Sequence, residues 1–149
     1  MAESVQVEPI ALLPTEAGCA VFLGDGKKVI VIYIDPGVAS SINAALTGET
    51  PPRPLTHDLF LMTLNAFGAK VTRAMIVSCE NQIFHGRLFL EAENEIMERK
   101  IIEIDARPSD CLALVVRCGA PCYVLKSLWD TLDDMSQNLL DLRNQTGDS

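Results

Sequence analysis

Polar side chains crowd one strand-to-helix turn of this sequence. Asp105, Arg107, Ser109 and Asp110 lie within six residues, and Pro108 stands where a first helical turn tolerates its missing N–H. Free N–H groups and the helix dipole make such a helix start favourable for anions. The turn therefore predicts a phosphate-sized anion site. The spacing also fits a structural interpretation, in which Ser109 or Asp110 satisfies first-turn N–H groups and Arg107 pairs with Asp105.

A second polar group stands at another predicted helix start. Thr56 is an N-cap candidate, His57 and Asp58 follow it, and Arg53 lies just before it in a proline-rich connector. The structural alternative makes Thr56 and Asp58 helix caps, His57 a surface histidine and Arg53 an anchor for the connector. The two groups together contain the side chains that acid–base chemistry on a phosphate requires.

Phosphodiester hydrolysis needs charge stabilisation on the phosphate, an activated water and a proton for the leaving oxygen. Arginines bind phosphate by bidentate hydrogen bonds, histidine transfers protons, and carboxylates hold a divalent cation such as Mg²⁺ or Mn²⁺. We assign phosphate binding to Arg53, Arg107 and Ser109. The catalytic candidates are His57, Asp58, Asp105 and Asp110. The metal candidates among them are Asp58, Asp105 and Asp110, although no metal-binding motif such as H-E-x-x-H fixes a cation.

Alternating apolar runs and turn signals predict the elements that position these residues. Strands are expected over 5–13, 19–23, 28–34, 70–78, 82–90 and 100–104, with another after Gly119 up to Val124, and helices over 37–46, 59–67 and 111–118. Gly48 and Gly119 are expected to end the first and third helices. The order predicts an α+β fold, with a mixed, largely antiparallel sheet and helices packed on it.

Two stretches share one pattern. Ile34-Asp35-Pro36 and Ile104-Asp105 with Pro108 each lead from a strand into an apolar helix, and each helix closes at a glycine. The pattern indicates an internal strand-turn-helix duplication, whose two turns face one cleft if the halves pack symmetrically.

Residue composition also predicts how some elements are buried. The β-branched run 28–34 is expected at the centre of the sheet, and the helix 59–67, apolar nearly all round, against the sheet or a second subunit. In the strand 82–90, His85 and Arg87 share a face, and we interpret His85 as a sheet-face histidine rather than a site residue.

The end of the chain has its own pattern. Apolar residues recur at helical spacing from Leu125 to Leu142, opposite an Asp-rich face, which predicts one helix that docks or forms a dimer seam. We expect residues 144–149 to fray. The chain thus divides into an α+β domain, 1–125, and an acidic C-terminal helix with a frayed tail, 126–149.

Composition limits the class of protein. The sequence contains no run of 18 apolar residues, so no membrane span is predicted. The first residues do not resemble a signal peptide, and a cytoplasmic location is therefore expected. Five cysteines without a C-x-x-C pair predict reduced, mostly buried thiols. The net charge of −8 disfavours nonspecific coating of nucleic acid, and the single Trp and two Tyr disfavour a stacking platform for single strands.

The negative charge is concentrated in the flanks. Residues 1–52 carry two lysines and six acids, residues 53–126 nine basic and nine acidic side chains, and residues 127–149 one arginine and five aspartates. Because positive and negative charges are equal in number over residues 53–126, that part of the chain is compatible with a local basic groove.

Several motifs together resemble the bifunctional nuclease domain family. They are Arg53-Pro-Leu-Thr-His-Asp-Leu59, Phe84-His-Gly-Arg-Leu88, Ile104-Asp-Ala-Arg-Pro-Ser-Asp-Cys-Leu-Ala-Leu114 and Gly119-Ala-Pro-Cys-Tyr-Val124. The resemblance runs from about Val5 to Val124. It implies an α+β fold, self-association with a dimer favoured, and cleavage of DNA and RNA.

The chain departs from the family pattern at one place. Where members have a strand ending in Ile-Gly and a Glu-Ala pair three residues later, this sequence has Ile34-Asp35 and Val38-Ala39. One acidic group of the implied site is absent, and Asp35 is the residue that can substitute for it.

Three functions follow. The first is a nuclease, metal-assisted if the carboxylates hold Mg²⁺ or Mn²⁺, acting on DNA or RNA. The second is a non-catalytic, homo-oligomeric regulatory domain whose cluster binds an anion or nucleotide. The third is a purely structural interaction protein. The acidic flanks and Val38 favour the second, and the family resemblance favours the first.

Overall fold

A computed structural model describes residues 3–146, which form seven strands and five helices. The strands are β1 (Ser4–Thr15), β2 (Gly18–Gly24), β3 (Val29–Ile34), β4 (Ala69–Glu80), β5 (Ile83–Glu93), β6 (Arg99–Ala106) and β7 (Cys122–Leu125). The helices are α1 (Pro36–Thr47), α2 (Thr56–Ala66), α3 (Pro108–Cys118), α4 (Lys126–Trp129) and α5 (Ser136–Thr146).

The strands form one mixed sheet in the order β3-β2-β1-β7-β4-β5-β6. Neighbours pair antiparallel except β4 and β7, which are parallel. The predicted α+β class and the largely antiparallel sheet are therefore confirmed. Gly48 and Gly119 end α1 and α3 in the left-handed conformation, each at φ 72°, as the sequence predicts.

Helix α3 lies at the centre of the core. Cys111, Leu112, Ala113, Leu114 and Val115 are all buried, and each fully buried Leu or Val stabilises the fold by about 1.5–3 kcal/mol. Strands β4, β5 and β7 and helices α1 and α2 all contact it. A helix buried on this many sides requires the sheet to curve around it.

The curvature brings the two edge strands of the sheet together. A flat sheet of seven strands would separate its edges by roughly 29 Å at about 4.8 Å per strand spacing. Instead Arg107 Nη1, just after β6, lies 3.6 Å from Asp35 Oδ2, just after β3. A register shift between Pro9 and Ala11 of β1, and further shifts within β4, supply the bends.

The prediction of a central β3 is wrong, because β3 is an edge strand. Ile30, Ile32 and Ile34 face the main core, while Val29 and Val31 pack into a second cluster with Leu139 of α5. A continuous apolar run indicates that both faces of a strand are covered. It does not indicate whether the strand has a hydrogen-bonded neighbour strand on both sides.

The prediction of one helix over 125–142 is also wrong. Leu125 ends β7, and α4 covers only 126–129. After a break, α5 begins at Ser136. Asp134 makes the break, because its carboxylate accepts the N–H groups of Ser136 and of Val29 in β3. Leu128 and Trp129 of α4 belong to the main core, so the division of the chain at residue 125 stays a prediction. Of the expected fraying tail, 147–149 lie outside the described residues, and α5 extends to Thr146.

Helix α2 is less buried than its composition predicts. None of its residues is fully buried, since only Leu61 and Leu64 pack partly on the core. Leu59, Met62 and the following Phe67, which is 81% exposed, face outward. Burial of this helix against the sheet is therefore partial. Among residues 3–146 no helix is both long and apolar enough to cross a membrane.

The contact between α3 and the sheet depends on Gly86 of β5. A Cβ there would lie 2.8 Å from the carbonyl oxygen of Ala106 and 3.2 Å from Cys111 Sγ. We expect Gly86→Ala to lower the free energy of unfolding by about 1–3 kcal/mol, because the backbone of β6 and the start of α3 must move apart. Urea unfolding measures this change.

Gly24→Ala is the matched control, because its Cβ would meet first the flexible end of the Ile10 side chain at 3.3 Å. A loss of stability at residue 24 as large as that at residue 86 would contradict this account of the helix–sheet contact.

Candidate functional site

Three helices begin beside one another at the place where the sheet edges meet. Asp35 is the N-cap of α1 and accepts the N–H of Val38 at 2.9 Å. His57 lies in the first turn of α2, and Arg107 is the N-cap of α3. The positive ends of three helix dipoles therefore point toward one region, which favours negative charge there.

His57 connects the three helices. Its Nδ1 lies 2.8 Å from Ser41 Oγ of α1, and its Nε2 lies 2.9 Å from Asp110 Oδ1 of α3. Its side chain is only 14% exposed. An ionised carboxylate accepts hydrogen bonds only, so Nε2 donates to Asp110. In the neutral imidazole, Nδ1 is then the acceptor for the Ser41 hydroxyl.

Arg107 links this chain of hydrogen bonds to Asp35. Its Nε donates to Asp110 Oδ2 at 2.8 Å, and its Nη1 lies 3.6 Å from Asp35 Oδ2. Burial raises the pKa of Asp110, but hydrogen bonds from Arg107 and His57 outweigh burial and lower that pKa below its ordinary value. Hydrogen bonding to Asp110, with a smaller effect of Asp35, raises the pKa of Arg107. Asp110 is therefore ionised at neutral pH.

A cavity of about 430 Å³ opens over this group. Its walls carry carboxylate, imidazole and hydroxyl groups, and its lining residues are Asp35, Gly37, Val38, Ser40, Ser41, Leu55, Thr56, His57 and Asp110. A base held between a carboxylate and a hydroxyl is the arrangement by which histidine activates an oxygen nucleophile. In this cavity His57 can therefore accept or donate a proton next to a bound anion.

The structure brings together three of the seven residues that the sequence assigns to the site: His57, Arg107 and Asp110. The structure also tests the structural interpretation of the turn before α3, in which Arg107 pairs with Asp105. Arg107 pairs with Asp110 and Asp35, whereas Asp105 pairs across the strands with Arg87, 2.7 Å away, so the expected Arg107–Asp105 pair is wrong.

The other assigned residues lie elsewhere. Asp58 accepts the N–H of Leu55 and a hydrogen bond from Arg117, each within 2.9 Å, and thus holds the start of α2. Leu55, not Thr56, occupies the N-cap position. Arg53 is exposed in the proline-rich connector, and Ser109 is buried beside a second cavity. The catalytic and phosphate-binding roles of Asp58, Asp105, Arg53 and Ser109 stay predictions.

Ser41 is a site residue that the sequence does not predict. This buried serine lies in α1, five residues after Pro36 and just before the fully buried Ile42. The local signal is a pair of hydroxyl residues, Ser40 and Ser41, inside a largely apolar helix. Its partner lies 16 residues later, across the proline-rich connector, so spacing alone does not reveal it.

The donor groups do not fit a shared divalent cation. The three carboxylates predicted to bind metal each pair with a different arginine: Asp58 with Arg117, Asp105 with Arg87 and Asp110 with Arg107. No group of three or more His, Cys, Asp or Glu side chains within residues 3–146 is arranged to hold a metal ion. We therefore derive no catalytic step through Mg²⁺ or Mn²⁺.

Buried thiols are not candidates for the chemistry either. Burial raises the pKa of both Cys111 and Cys122 to about 12. They are therefore protonated at neutral pH and poor nucleophiles.

The contacts of Asp58 predict a pH dependence of stability. The N–H of Leu55 and, to a smaller degree, Arg117 lower the pKa of Asp58 against the opposing effect of burial. A carboxyl with a lowered pKa stabilises the fold above its unfolded pKa of about 3.9, and this contribution is lost as the pH falls through the folded pKa. We expect Asp58→Asn to cost about 1–3 kcal/mol at pH 7 and clearly less at pH 3, measured by urea unfolding at both pH values.

Asp133→Asn, at an exposed carboxylate, is the control and should change stability little at either pH. An effect of Asp58→Asn that is the same at pH 7 and pH 3 would contradict the assignment of this ion pair.

Comparison with known proteins gives the family. The family model of the bifunctional nuclease domain matches residues 21–135. Two proteins of Mycobacterium tuberculosis, from the strains CDC 1551 and H37Rv and both named as uncharacterized, are 33% identical to this chain over 122 residues. The alignments cover 82% of this chain and 65% of the length of each relative. With most of its length matched, the chain belongs to the bifunctional nuclease domain family.

Proposed function

We propose that this chain is a nuclease that hydrolyses phosphodiester bonds of DNA or RNA at the cavity over His57. The observation that carries the proposal is the hydrogen-bonded chain Ser41–His57–Asp110, with Arg107 beside it. Membership of a nuclease-like family supports the choice of a phosphodiester substrate. The proposal includes the cytoplasmic location expected from the sequence.

His57 is the general base. Its Nδ1 accepts the proton of Ser41 Oγ while Ser41 accepts one from the attacking water, so that the water proton is relayed to the imidazole. Asp110, hydrogen-bonded to Nε2, orients the ring and stabilises the imidazolium that forms. The imidazolium then releases its proton to solvent, because the cavity is open.

Arg107 stabilises the negative charge of the phosphate. Its guanidinium has five N–H donors, of which one is used by Asp110 and another faces Asp35 at 3.6 Å. The side chain is 65% exposed, so its remaining donors are accessible to a phosphate. The N-termini of α1, α2 and α3 add favourable potential, and the leaving oxygen takes its proton from solvent.

Cleavage of labelled single- and double-stranded DNA and RNA tests the proposal. We expect His57→Ala and Asp110→Asn to reduce the cleavage rate about 100-fold or more, which is the usual contribution of a positioned general base. Each assay is run with Mg²⁺, with Mn²⁺ and with EDTA, since the carboxylates that could hold a cation are engaged by arginines.

His85→Ala is the matched control, because the only other histidine lies on β5, outside the lining of the cavity. It should cleave as the wild type does. Equal cleavage by wild type and folded His57→Ala would show that the activity belongs to another site or to a contaminant, and no cleavage under any condition would refute the nuclease.

A second candidate function is a homo-oligomeric binding or regulatory domain. The outward face of α2, with Leu59, Met62 and Phe67, is the observation that favours it. A second copy packed on this face would remove these side chains from water, as the sequence predicts for this helix.

Sedimentation velocity tests the oligomeric state. We expect a dimer for the wild type and a shift to monomer for Met62→Lys, because a buried lysine cannot be paired in an apolar interface. Leu140→Lys, at an exposed leucine of α5, is the control and should remain dimeric. A monomeric wild type at all concentrations would contradict self-association.

A further inference from the structure

A second cavity lies beside the Asp35–Arg107 ion pair. It has a volume of about 340 Å³, and both residues line it, while Asp35 also lines the cavity over His57. The ion pair thus stands between the two spaces. A ligand whose phosphate is bound by Arg107 can extend into the second cavity from the first.

The walls of the second cavity suit a flat aromatic ring. Tyr33 of β3, Phe84 of β5 and the exposed Ile83 line it. Tyr33 is 69% exposed, whereas an aromatic ring on an edge strand gains stability only when it is covered. The side chain of Gln82, also in the lining, offers an amide donor and an amide acceptor.

Gln82 occupies a strained position. It is the second residue of the two-residue turn between β4 and β5, at φ 66°, after Asn81 at φ 51°. Hairpins of this kind favour glycine, because a side chain in the left-handed region is disfavoured. A glutamine there lowers stability, and such strain concentrates at functional positions.

We propose that the second cavity is a nucleobase subsite, which binds one base of a nucleotide whose phosphate lies on Arg107. The base stacks on Tyr33 and Phe84, and Gln82 hydrogen-bonds its edge. This inference rests on the proposed function, because it names the part of a nucleic acid substrate that the site recognises. The volume lies at the lower end of the roughly 300–1,000 Å³ typical of small-molecule sites, which suits a single nucleotide.

Isothermal titration calorimetry with two probes tests the subsite. The probes are adenosine 5′-monophosphate and ribose 5-phosphate, which carry the same phosphate and differ in the base. We expect the wild type to bind the nucleotide about tenfold more tightly, the usual gain from one stacked base. Tyr33→Ala should remove this preference and leave the affinity for ribose 5-phosphate unchanged.

Tyr123→Ala is the matched control. The chain has two tyrosines, and Tyr123 lies on β7 and lines a different cavity. Its substitution should leave both affinities unchanged.

Gln82→Gly separates binding from structure. Glycine relieves the strain of the turn, so the midpoint of thermal unfolding should equal or exceed that of the wild type while the affinity for adenosine 5′-monophosphate falls. A lower midpoint with unchanged affinity would show that Gln82 has a structural role only.

The outcomes distinguish the subsite from the proposed function. Equal wild-type affinities for the two probes, or no binding of either, would overturn the subsite whether or not the protein cleaves nucleic acid. A nucleotide preference that Tyr33→Ala abolishes, in a protein that cleaves no substrate, would support the subsite and overturn the nuclease in favour of a nucleotide-binding domain.

Discussion

Burial of α3 is the constraint on which the other features of the structure depend. A helix covered by the sheet and by two other helices can be accommodated only if the sheet bends, and the bend carries β3 and β6 toward each other. The residues that follow these edge strands, Asp35 and Arg107, then meet. Gly86 permits the close approach of α3 that this arrangement needs. The cavity over His57 is therefore a product of core packing, since the side chains around it come from helices that the core positions.

One arginine balances the negative charge of two carboxylates at the site. Arg107 makes a short contact with Asp110 and a longer one, of 3.6 Å, with Asp35. A phosphate that binds the guanidinium competes first with the weaker contact. Asp110 can keep its hydrogen bonds to Arg107 and His57, and with them the orientation of the imidazole. Asp35 is thus the group whose ion pair a ligand would replace.

The sequence predicts what local chemistry determines and misses what distant contacts determine. Most strands and helices, the glycine caps and the α+β class follow from periodicity and turn residues within a few positions of each element. The edge position of β3 does not, because both faces of that strand are covered and its composition matches a central strand. Asp105 and Arg107 are near in sequence, yet Asp105 pairs with Arg87 of the neighbouring strand, because the register of β5 and β6 places them opposite each other. Ser41 could not be predicted from the sequence, because its hydrogen-bond partner His57 is in another helix.

The order in which the chain folds follows from the sequence distances between contacts. The β4–β5 hairpin closes a two-residue turn, whereas the bond between His57 and Asp110 joins residues 53 positions apart. Contacts that close long loops form late, because the entropy of closure must be paid before they stabilise the chain. The hairpin that carries Gln82 can therefore form while the helices are still unassembled. The histidine cavity appears only with the complete core, so a partly folded or truncated chain does not bring Ser41, His57 and Asp110 together.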